Sequence, residues 1–260
     1  MKKISLILIY LIGFGYISYA QTVTIGTQVW MTKNLDVATF RNGDPIPQAK
    51  TDEEWEKAGE NEQPAWCYYN NDPANGAKYG KLYNWYAVND SRGLAPSGYH
   101  IPSDAEWTRL TDFLGGEKVA GPKMKSKSGW DSYTTGGLKT CPNCVNWNAE
   151  YRRKVACHTC QDKRCLPAPE VTNSGNGTNT SGFSGLPGGF RHGQRADYIG
   201  KKAFWWSSTE STTQFGYPTS AWSCNLTYHE YDFNNSLLIS YGVRDDFGFQ
   251  CGLSVRCLRD

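Results

Sequence analysis

The stretch Gly98-Tyr-His-Ile-Pro-Ser-Asp-Ala-Glu-Trp107 contains the clearest secondary-structure signal in the sequence. Ser103 and Glu106 form a capping-box pattern, in which each residue can bond the other's backbone amide where a helix begins. The next apolar residues recur at helical spacing and predict one buried stripe: Trp107, Leu110, Phe113 and Leu114. Gly115-Gly116 predicts the helix end, because glycine readily adopts the left-handed conformation found there.

Short strands and a second helix are predicted on both sides of this segment. Val23, Ile25 and Val29 alternate around Gly26-Thr27, which is typical of a β-hairpin. Residues 52–58 indicate a short helix with its acids in the first turn. Alternating or apolar runs predict strands over residues 203–210, 220–226, 236–240 and 252–258. The mixture predicts an irregular, loop-rich α+β fold.

The first twenty residues have the features of a secretory signal peptide. Lys2 and Lys3 precede an apolar run, and Ser18-Tyr19-Ala20 is a small-x-small cleavage site. The run is too short for a membrane span. We therefore predict an exported domain over residues 21–260, in the periplasm or on the outer surface. Its 25 basic groups, the 27 of the chain less these two lysines, equal its 25 acidic groups, which gives no general attraction to nucleic acid.

A Cys-rich insertion is predicted at about residues 117–170. Residues 117–165 hold ten basic and four acidic residues and five of the nine cysteines. Cys141, Cys144, Cys157 and Cys160 have the C-x2-C-x12-C-x2-C spacing that suits four thiolates around a structural zinc ion. Export leaves two alternatives open, namely disulfides between the two turns and redox chemistry. Cys165 is the expected leftover thiol.

Segments spread over nearly the whole predicted mature chain closely resemble the Fibrobacter succinogenes major paralogous domain. They include Val23-Thr-Ile-Gly-Thr-Gln-Val-Trp-Met-Thr-Lys-Asn-Leu35, Tyr79-Gly-Lys-Leu-Tyr-Asn-Trp-Tyr-Ala-Val88, Phe183-Ser-Gly-Leu-Pro-Gly-Gly-Phe-Arg191, Phe204-Trp-Trp-Ser-Ser-Thr-Glu210 and Ser254-Val-Arg-Cys257. That family occurs on exported bacterial proteins, and the resemblance implies no particular activity. The matching segments flank the insertion, so one main domain is expected, with its first and last strands in one sheet.

A more distant similarity concerns the fold. The stretch His100-Ile-Pro-Ser-Asp-Ala-Glu-Trp107 is similar to a helix start in formylglycine-generating-enzyme-like proteins, which implies a C-type-lectin-like architecture. A lectin-like sheet would bring Cys224 near Cys251, and Cys67 could meet Cys257. The alternative is that these four cysteines are buried free thiols.

Oxygen-rich turns and aromatic residues are the remaining candidates for ligand contacts. Residues 70–75, Asp90 and Asp245-Asp246 offer oxygen ligands for calcium, although such Asx-rich turns more often bond their own backbone. Aromatic side chains could form a sugar-stacking platform or pack in the core, and the candidates for ligand contact are Tyr69, Trp85, Trp205, Trp206 and Trp222.

The expected function is non-catalytic binding of polysaccharide or another cell-surface component. No G-x-S-x-G elbow, phosphate loop or H-E-x-x-H motif is present. The first alternative is a structural or adhesive surface protein with protein partners, and the second is a formylglycine-generating type of oxidase. The oligomeric state is left open.

Overall fold

The computed structural model describes residues 21–137, 168–212, 218–228 and 243–260. Its helices are α1 (Asp52–Glu60), α2 (Pro73–Tyr79), α3 (Trp85–Val88), α4 (Asp104–Phe113) and α5 (Glu117–Met124), with a 3-10 turn at Tyr69–Asn71. Its strands are β1 (Thr22–Ile25), β2 (Gln28–Met31), β3 (Trp66–Cys67), β4 (Leu82–Tyr83), β5 (Tyr99–His100), β6 (Tyr133–Gly137), β7 (Ala168–Asn173), β8 (Gly188–His192), β9 (Arg195–Ile199), β10 (Lys202–Thr212), β11 (Pro218–Thr227), β12 (Val243–Gly248) and β13 (Leu258–Arg259). The predicted α+β class is confirmed.

The two ends of the described chain meet in one four-stranded sheet with the order β1-β2-β13-β5. The predicted hairpin forms with Ile25 opposite Gln28, and Gly26 between them has a φ of 62°. Leu258 of β13 pairs with Trp30 of β2 and with His100 of β5. The expectation that the first and last strands lie in one sheet is therefore confirmed.

The central sheet has the order β12-β11-β10-β8-β9 and separates two apolar cores. Successive residues of β10 face opposite sides of the sheet. Phe204 and Trp206 belong to one core, whereas Ala203 and Trp205 belong to the other. Strand β10 is therefore buried on both faces, and Trp205 and Trp206 are structural.

Helix α4 begins at the predicted capping box. The Glu106 carboxylate accepts hydrogen bonds from the Ser103 backbone N–H and Oγ, both at 2.8 Å. Trp107, Leu110 and Leu114 are buried as expected. Phe113 is not part of the buried stripe, because its ring is 64% exposed. That ring instead covers Gly26, where an added Cβ would lie 2.9 Å from it.

The main core extends further along the chain than the predicted insertion boundary at residue 117. Ala120 and Met124 of α5 and the following Trp130 are buried in the same core as Trp205. The Trp130 indole N–H donates to the Gly185 carbonyl at 3.1 Å. The lysines of this segment suggested an insertion, but apolar residues between them pack in the core. The boundary at 117 was therefore placed too early.

The cysteine pairs that the lectin-like resemblance implied are not formed. Cys67, Cys224, Cys251 and Cys257 are buried free thiols, as the alternative proposed. Cys224 and Cys251 belong to different cores, and so do Cys67 and Cys257. Burial raises the pKa of Cys67, Cys251 and Cys257 to about 12, so these thiols are protonated at neutral pH.

Candidate functional site

One open cleft of about 540 Å³ lies where the ends of two helices meet the edge of the central sheet. We call it the Tyr86 cleft. It is lined by Glu62, Pro64, Trp85, Tyr86, Asn89, Asp90, Glu210, Thr219, Phe249 and Gln250. These residues come from the segment after α1, from α3 and the two residues that follow it, from β10 and β11, and from the turn after β12.

Three aromatic rings form the floor of the Tyr86 cleft. Trp85 is 3% exposed, and the Phe249 ring stacks on it with 4.4 Å between ring centroids and 15° between planes. The edge of Tyr86 meets Phe249 at 6.0 Å. Tyr86 and Phe249 are half-buried, so a buried ring supports two rings that reach the cleft.

Hydrogen bonds hold this floor in position. The Asn84 side chain caps α3 by accepting from the Ala87 backbone N–H at 3.1 Å. The backbone N–H of Trp85 donates to the Phe249 carbonyl at 2.9 Å, and its indole N–H donates to the Ser207 carbonyl at 3.2 Å. Trp85 therefore ties the helix to the turn after β12 and to β10.

Most polar side chains of the Tyr86 cleft form no hydrogen bond or ion pair with the described part of the protein. This group consists of Glu62, Tyr86, Asn89, Glu210 and Gln250. Burial, reinforced by the nearby Glu62 carboxylate, raises the pKa of Tyr86, so its phenol is a donor at neutral pH. The cleft therefore presents donors and acceptors that the fold does not use.

Asp90 is the exception in this cleft. Its carboxylate receives two hydrogen bonds from the Arg92 guanidinium, at 2.9 and 2.8 Å. The hydrogen bonds from the Arg92 side chain are the main reason that the pKa of Asp90 lies below its usual value. Asp90 is thus neutralised by its neighbour.

A second cleft, of about 600 Å³, lies where β5 meets the start of α4. We call it the His100 cleft. It is lined by Arg41, Val88, Gly93, Leu94, Ala95, His100, Ile101, Ser103, Ala105, Glu106, Arg109 and Ser208. The Arg41 guanidinium donates to the carbonyls of Ala95 at 3.0 Å and Tyr99 at 2.9 Å.

The imidazole of His100 lies between two carboxylates. Its Nδ1 is 2.8 Å from Asp260 Oδ1, and its Nε2 is 3.0 Å from Glu106 Oε1. Burial acts to lower the pKa of His100, but the hydrogen bonds to Asp260 and Glu106 outweigh it and raise that pKa. Both carboxylates are acceptors, so this arrangement favours the imidazolium form.

Three of the five predicted aromatic ligand residues are core residues. Tyr69, Trp205 and Trp206 are buried. Their polar atoms are satisfied internally, since Tyr69 Oη donates to the Ala196 carbonyl and Trp206 Nε1 to the Tyr83 carbonyl. No face of these rings is open for stacking on a sugar, which corrects their assignment to a ligand surface.

The other two aromatic candidates lie elsewhere. Trp85 is part of the Tyr86 cleft, but as its buried floor. Trp222 is half-buried on β11 and is not among the residues that line the cleft. Sequence reasoning did not single out Glu62, Asn89, Glu210, Phe249 or Gln250, which come from separate segments with no shared motif.

Three of the described side chains proposed for calcium, Asn71, Asp72 and Asp90, have structural partners. Asp72 caps α2 by accepting from the Ala74 N–H at 2.9 Å, and Asn71 Oδ1 accepts from Arg191 at 2.8 Å. Asp90 binds Arg92, while the side chains of Asp245 and Asp246 lie outside the description. Within the described ranges, no group of three or more His, Cys, Asp or Glu side chains is placed to hold a metal ion.

The predicted zinc ligands Cys141, Cys144, Cys157 and Cys160 lie outside the described residues, as does Cys165. The choice between zinc, disulfides and redox chemistry there stays a prediction. The predicted signal peptide at residues 1–20 also lies outside the described residues and stays a prediction.

The fold and the Tyr86 cleft define a mixed α+β domain whose first and last described strands lie in one sheet, and one of its two described clefts keeps unused polar groups beside aromatic rings. The chain belongs to the Fibrobacter succinogenes major domain family, whose model matches residues 23–259. Comparisons with curated proteins and with solved structures gave no significant match. In the part of the chain that the structure describes, no helix is both long and apolar enough to cross a membrane.

Proposed function

We propose that this protein is a non-catalytic binding module that recognises polysaccharide, or another cell-surface glycan, through the Tyr86 cleft. The observation that carries the proposal is the combination of two half-buried aromatic rings with polar side chains that have no partner in the described fold. Ligand sites combine an apolar surface with a few polar groups that fix the ligand's orientation.

Sugars present both kinds of surface. The C–H groups on one face of a pyranose ring pack on an aromatic ring, and the hydroxyls at its rim donate and accept hydrogen bonds. Phe249 and Tyr86 supply the aromatic surface. The amides of Asn89 and Gln250 each offer both a donor and an acceptor, which is what a hydroxyl requires.

Two further parts of the proposal concern architecture and location. The presence of the first and last described strands in one sheet supports a C-type-lectin-like arrangement, in agreement with the similarity around Ser103. The leader-like first twenty residues support export to the periplasm or the outer surface.

The two alternative functions have less support. A formylglycine-generating type of oxidase needs reactive cysteines beside a groove, whereas the described cysteines are buried. Burial raises the pKa of Cys251, like that of Cys67 and Cys257, to about 12, which disfavours a thiolate. Adhesion to a protein partner would use the same exposed groups, and the experiment below separates it from glycan binding.

The test is a glycan array followed by titration calorimetry of the purified protein with the glycans that bind. Removing the Tyr86 ring in Tyr86→Ala is expected to weaken binding about fivefold, since one aromatic contact contributes about 1 kcal/mol. Asn89→Ala is expected to weaken it about three- to tenfold through the loss of one hydrogen bond.

Tyr198→Ala is the matched control. This tyrosine is 45% exposed on β9 and is not among the residues that line the cleft, so its removal should leave affinity unchanged. Uniformly absent glycan binding would overturn the proposal in favour of a protein partner. Equal losses in Tyr86→Ala and Tyr198→Ala would show that the Tyr86 cleft is not the site.

A further inference from the structure

We infer that the Tyr86 cleft selects glycans that carry free amino groups over glycans that carry carboxylate or sulfate groups. This inference rests on the proposed function, because it names the class of sugar that the same cleft takes. Three features support it: the charges at the cleft, the aromatic floor beside them and the end of α1 that borders it.

The described lining of the Tyr86 cleft is acidic. It contains Glu62, Asp90 and Glu210, and no lysine or arginine is among the described residues that line it. Arg92 neutralises Asp90 at one side, with N–O distances of 2.8 and 2.9 Å. Glu62 and Glu210 are exposed and have no described hydrogen-bond or ion-pair partner, so two uncompensated carboxylates remain.

One of these carboxylates lies close to the aromatic floor. Glu62 and Tyr86 line the same cleft, and the pKa of Tyr86 is raised by burial and, to a lesser extent, by the charge of Glu62. The position of Glu62 is set by the end of α1, because its backbone N–H donates to the Gly59 carbonyl at 3.1 Å. An ammonium group bound here would meet a carboxylate and the face of an aromatic ring, and both interactions favour a cation.

The C-terminal end of helix α1 borders the cleft, since this helix ends at Glu60, two residues before Glu62. The last carbonyls of a helix carry partial negative charge. The backbone therefore adds to the negative potential of the side chains, and an anionic sugar would be repelled by both.

The probes are three oligosaccharides of equal length: an oligomer of glucosamine, its fully N-acetylated form and an oligogalacturonate. Calorimetry at pH 5.5 and low salt compares their affinities, since the amines are then charged. One or two exposed ion pairs predict about three- to tenfold tighter binding of the amino form than of the N-acetylated form. The oligogalacturonate is expected to bind more weakly than either.

Glu62→Gln and Glu210→Gln keep the shape and hydrogen-bonding capacity of the side chain while removing its charge. Together they are expected to abolish the preference for the amino form over the N-acetylated form. Asp112→Asn is the matched control, because this exposed acid on α4 does not line the cleft. Raising the salt concentration should reduce the preference in the unmodified protein alone.

The outcomes separate the two proposals. Equal affinity for the amino and N-acetylated forms, or tighter binding of the oligogalacturonate, would overturn the charge selectivity while glycan binding stands. The charge selectivity would also be overturned if the double variant Glu62→Gln, Glu210→Gln kept the preference for the amino form. Binding of no glycan on the array would overturn the proposed function and this inference with it.

Discussion

The Tyr86 cleft and the His100 cleft have similar volumes, about 540 and 600 Å³, but they use their polar side chains in opposite ways. In the His100 cleft, four side chains form hydrogen bonds within the fold: Arg41, His100, Ser103 and Glu106. In the Tyr86 cleft, the described side chains that do so are Asp90 and the buried Trp85, whereas five other polar side chains do not. Unused hydrogen-bonding capacity, rather than size, distinguishes a surface available to a ligand from one that holds the protein together.

The two clefts differ in how many of their side chains form hydrogen bonds within the protein, because they lie beside different kinds of backbone. The His100 cleft lies where β5, β13 and the start of α4 meet, and both helix starts and short edge strands leave backbone groups that need partners. The Tyr86 cleft lies beside helix ends whose backbone is capped locally, as where the Asn61 side chain donates to the Lys57 carbonyl at 2.8 Å. The polar side chains of the Tyr86 cleft are therefore not needed as hydrogen-bond partners for those backbone groups.

The largest predicted effect on stability and glycan affinity comes from Trp85, the buried ring beneath the Tyr86 cleft. Trp85→Ala removes a buried ring that supports Phe249, and should lower the free energy of unfolding by about 3–5 kcal/mol. Glycan affinity should fall with it, because the floor of the cleft collapses. Denaturant unfolding and calorimetry measure the two effects. A loss below about 1 kcal/mol, similar to that expected for the 64% exposed Phe113 in Phe113→Ala, would contradict the supporting role of Trp85.

The next effect tests the structural role of the His100 cleft. Glu106→Ala removes the carboxylate that accepts from Ser103 and His100, and should lower the free energy of unfolding by about 1–2 kcal/mol. Glycan affinity should be unchanged. Glu210→Ala in the Tyr86 cleft is the control, with an expected change within about 0.5 kcal/mol. Equal destabilisation by both variants would remove the distinction between the clefts.

A smaller change in the free energy of unfolding is expected when the pH is varied, because His100 and Glu106 titrate. The pKa of His100 is raised above its ordinary value of 6.5, so its contribution to stability is complete below pH 6.5 and is lost as pH rises through the folded-state pKa. The pKa of Glu106 is lowered from 4.5, so its contribution is complete above pH 4.5 and is lost as pH falls through its folded-state pKa. The contribution of this pair is therefore largest between pH 4.5 and 6.5.

The size of the pH effect is limited by solvent. The side chain of His100 is 38% exposed and that of Asp260 57%, so screening reduces the change between pH 6 and 8 to less than about 1 kcal/mol. Melting temperatures recorded across this range measure it. His100→Gln should flatten the alkaline side of the profile, and an unchanged slope in that variant would assign the pH dependence to other groups.

The smallest change in stability is expected when the side-chain amides of Asn89 and Gln250 in the Tyr86 cleft are removed. Asn89→Ala and Gln250→Ala remove side chains without a described hydrogen-bond partner, so the free energy of unfolding should change by less than about 0.5 kcal/mol. Denaturant midpoints check this. A loss above 1 kcal/mol in either variant would show that the fold uses these groups, and the contrast between the two clefts would no longer hold.

Local features of the fold were predictable because their causes lie within a few residues. The capping box at Ser103 and Glu106 and the hairpin around Gly26 form as expected. The predicted short helix appears as α1, where Thr51 Oγ1 accepts from the Glu54 N–H at 3.2 Å. The family was also evident from the sequence, since its motifs extend along nearly the whole matched range of 23–259.

Tertiary structure decided which aromatic rings are available and which residues share a site. Sequence pattern shows Trp205 and Trp206 as neighbours on a strand, but not that cores cover both faces of that strand. His100 meets Asp260 across 160 positions, and the Tyr86 cleft gathers residues as far apart as Glu62 and Gln250. Capping and hairpin signals come from hydrogen bonds between near neighbours in the chain. Burial and cleft formation depend on contacts between distant segments, for which a single sequence carries no local signal.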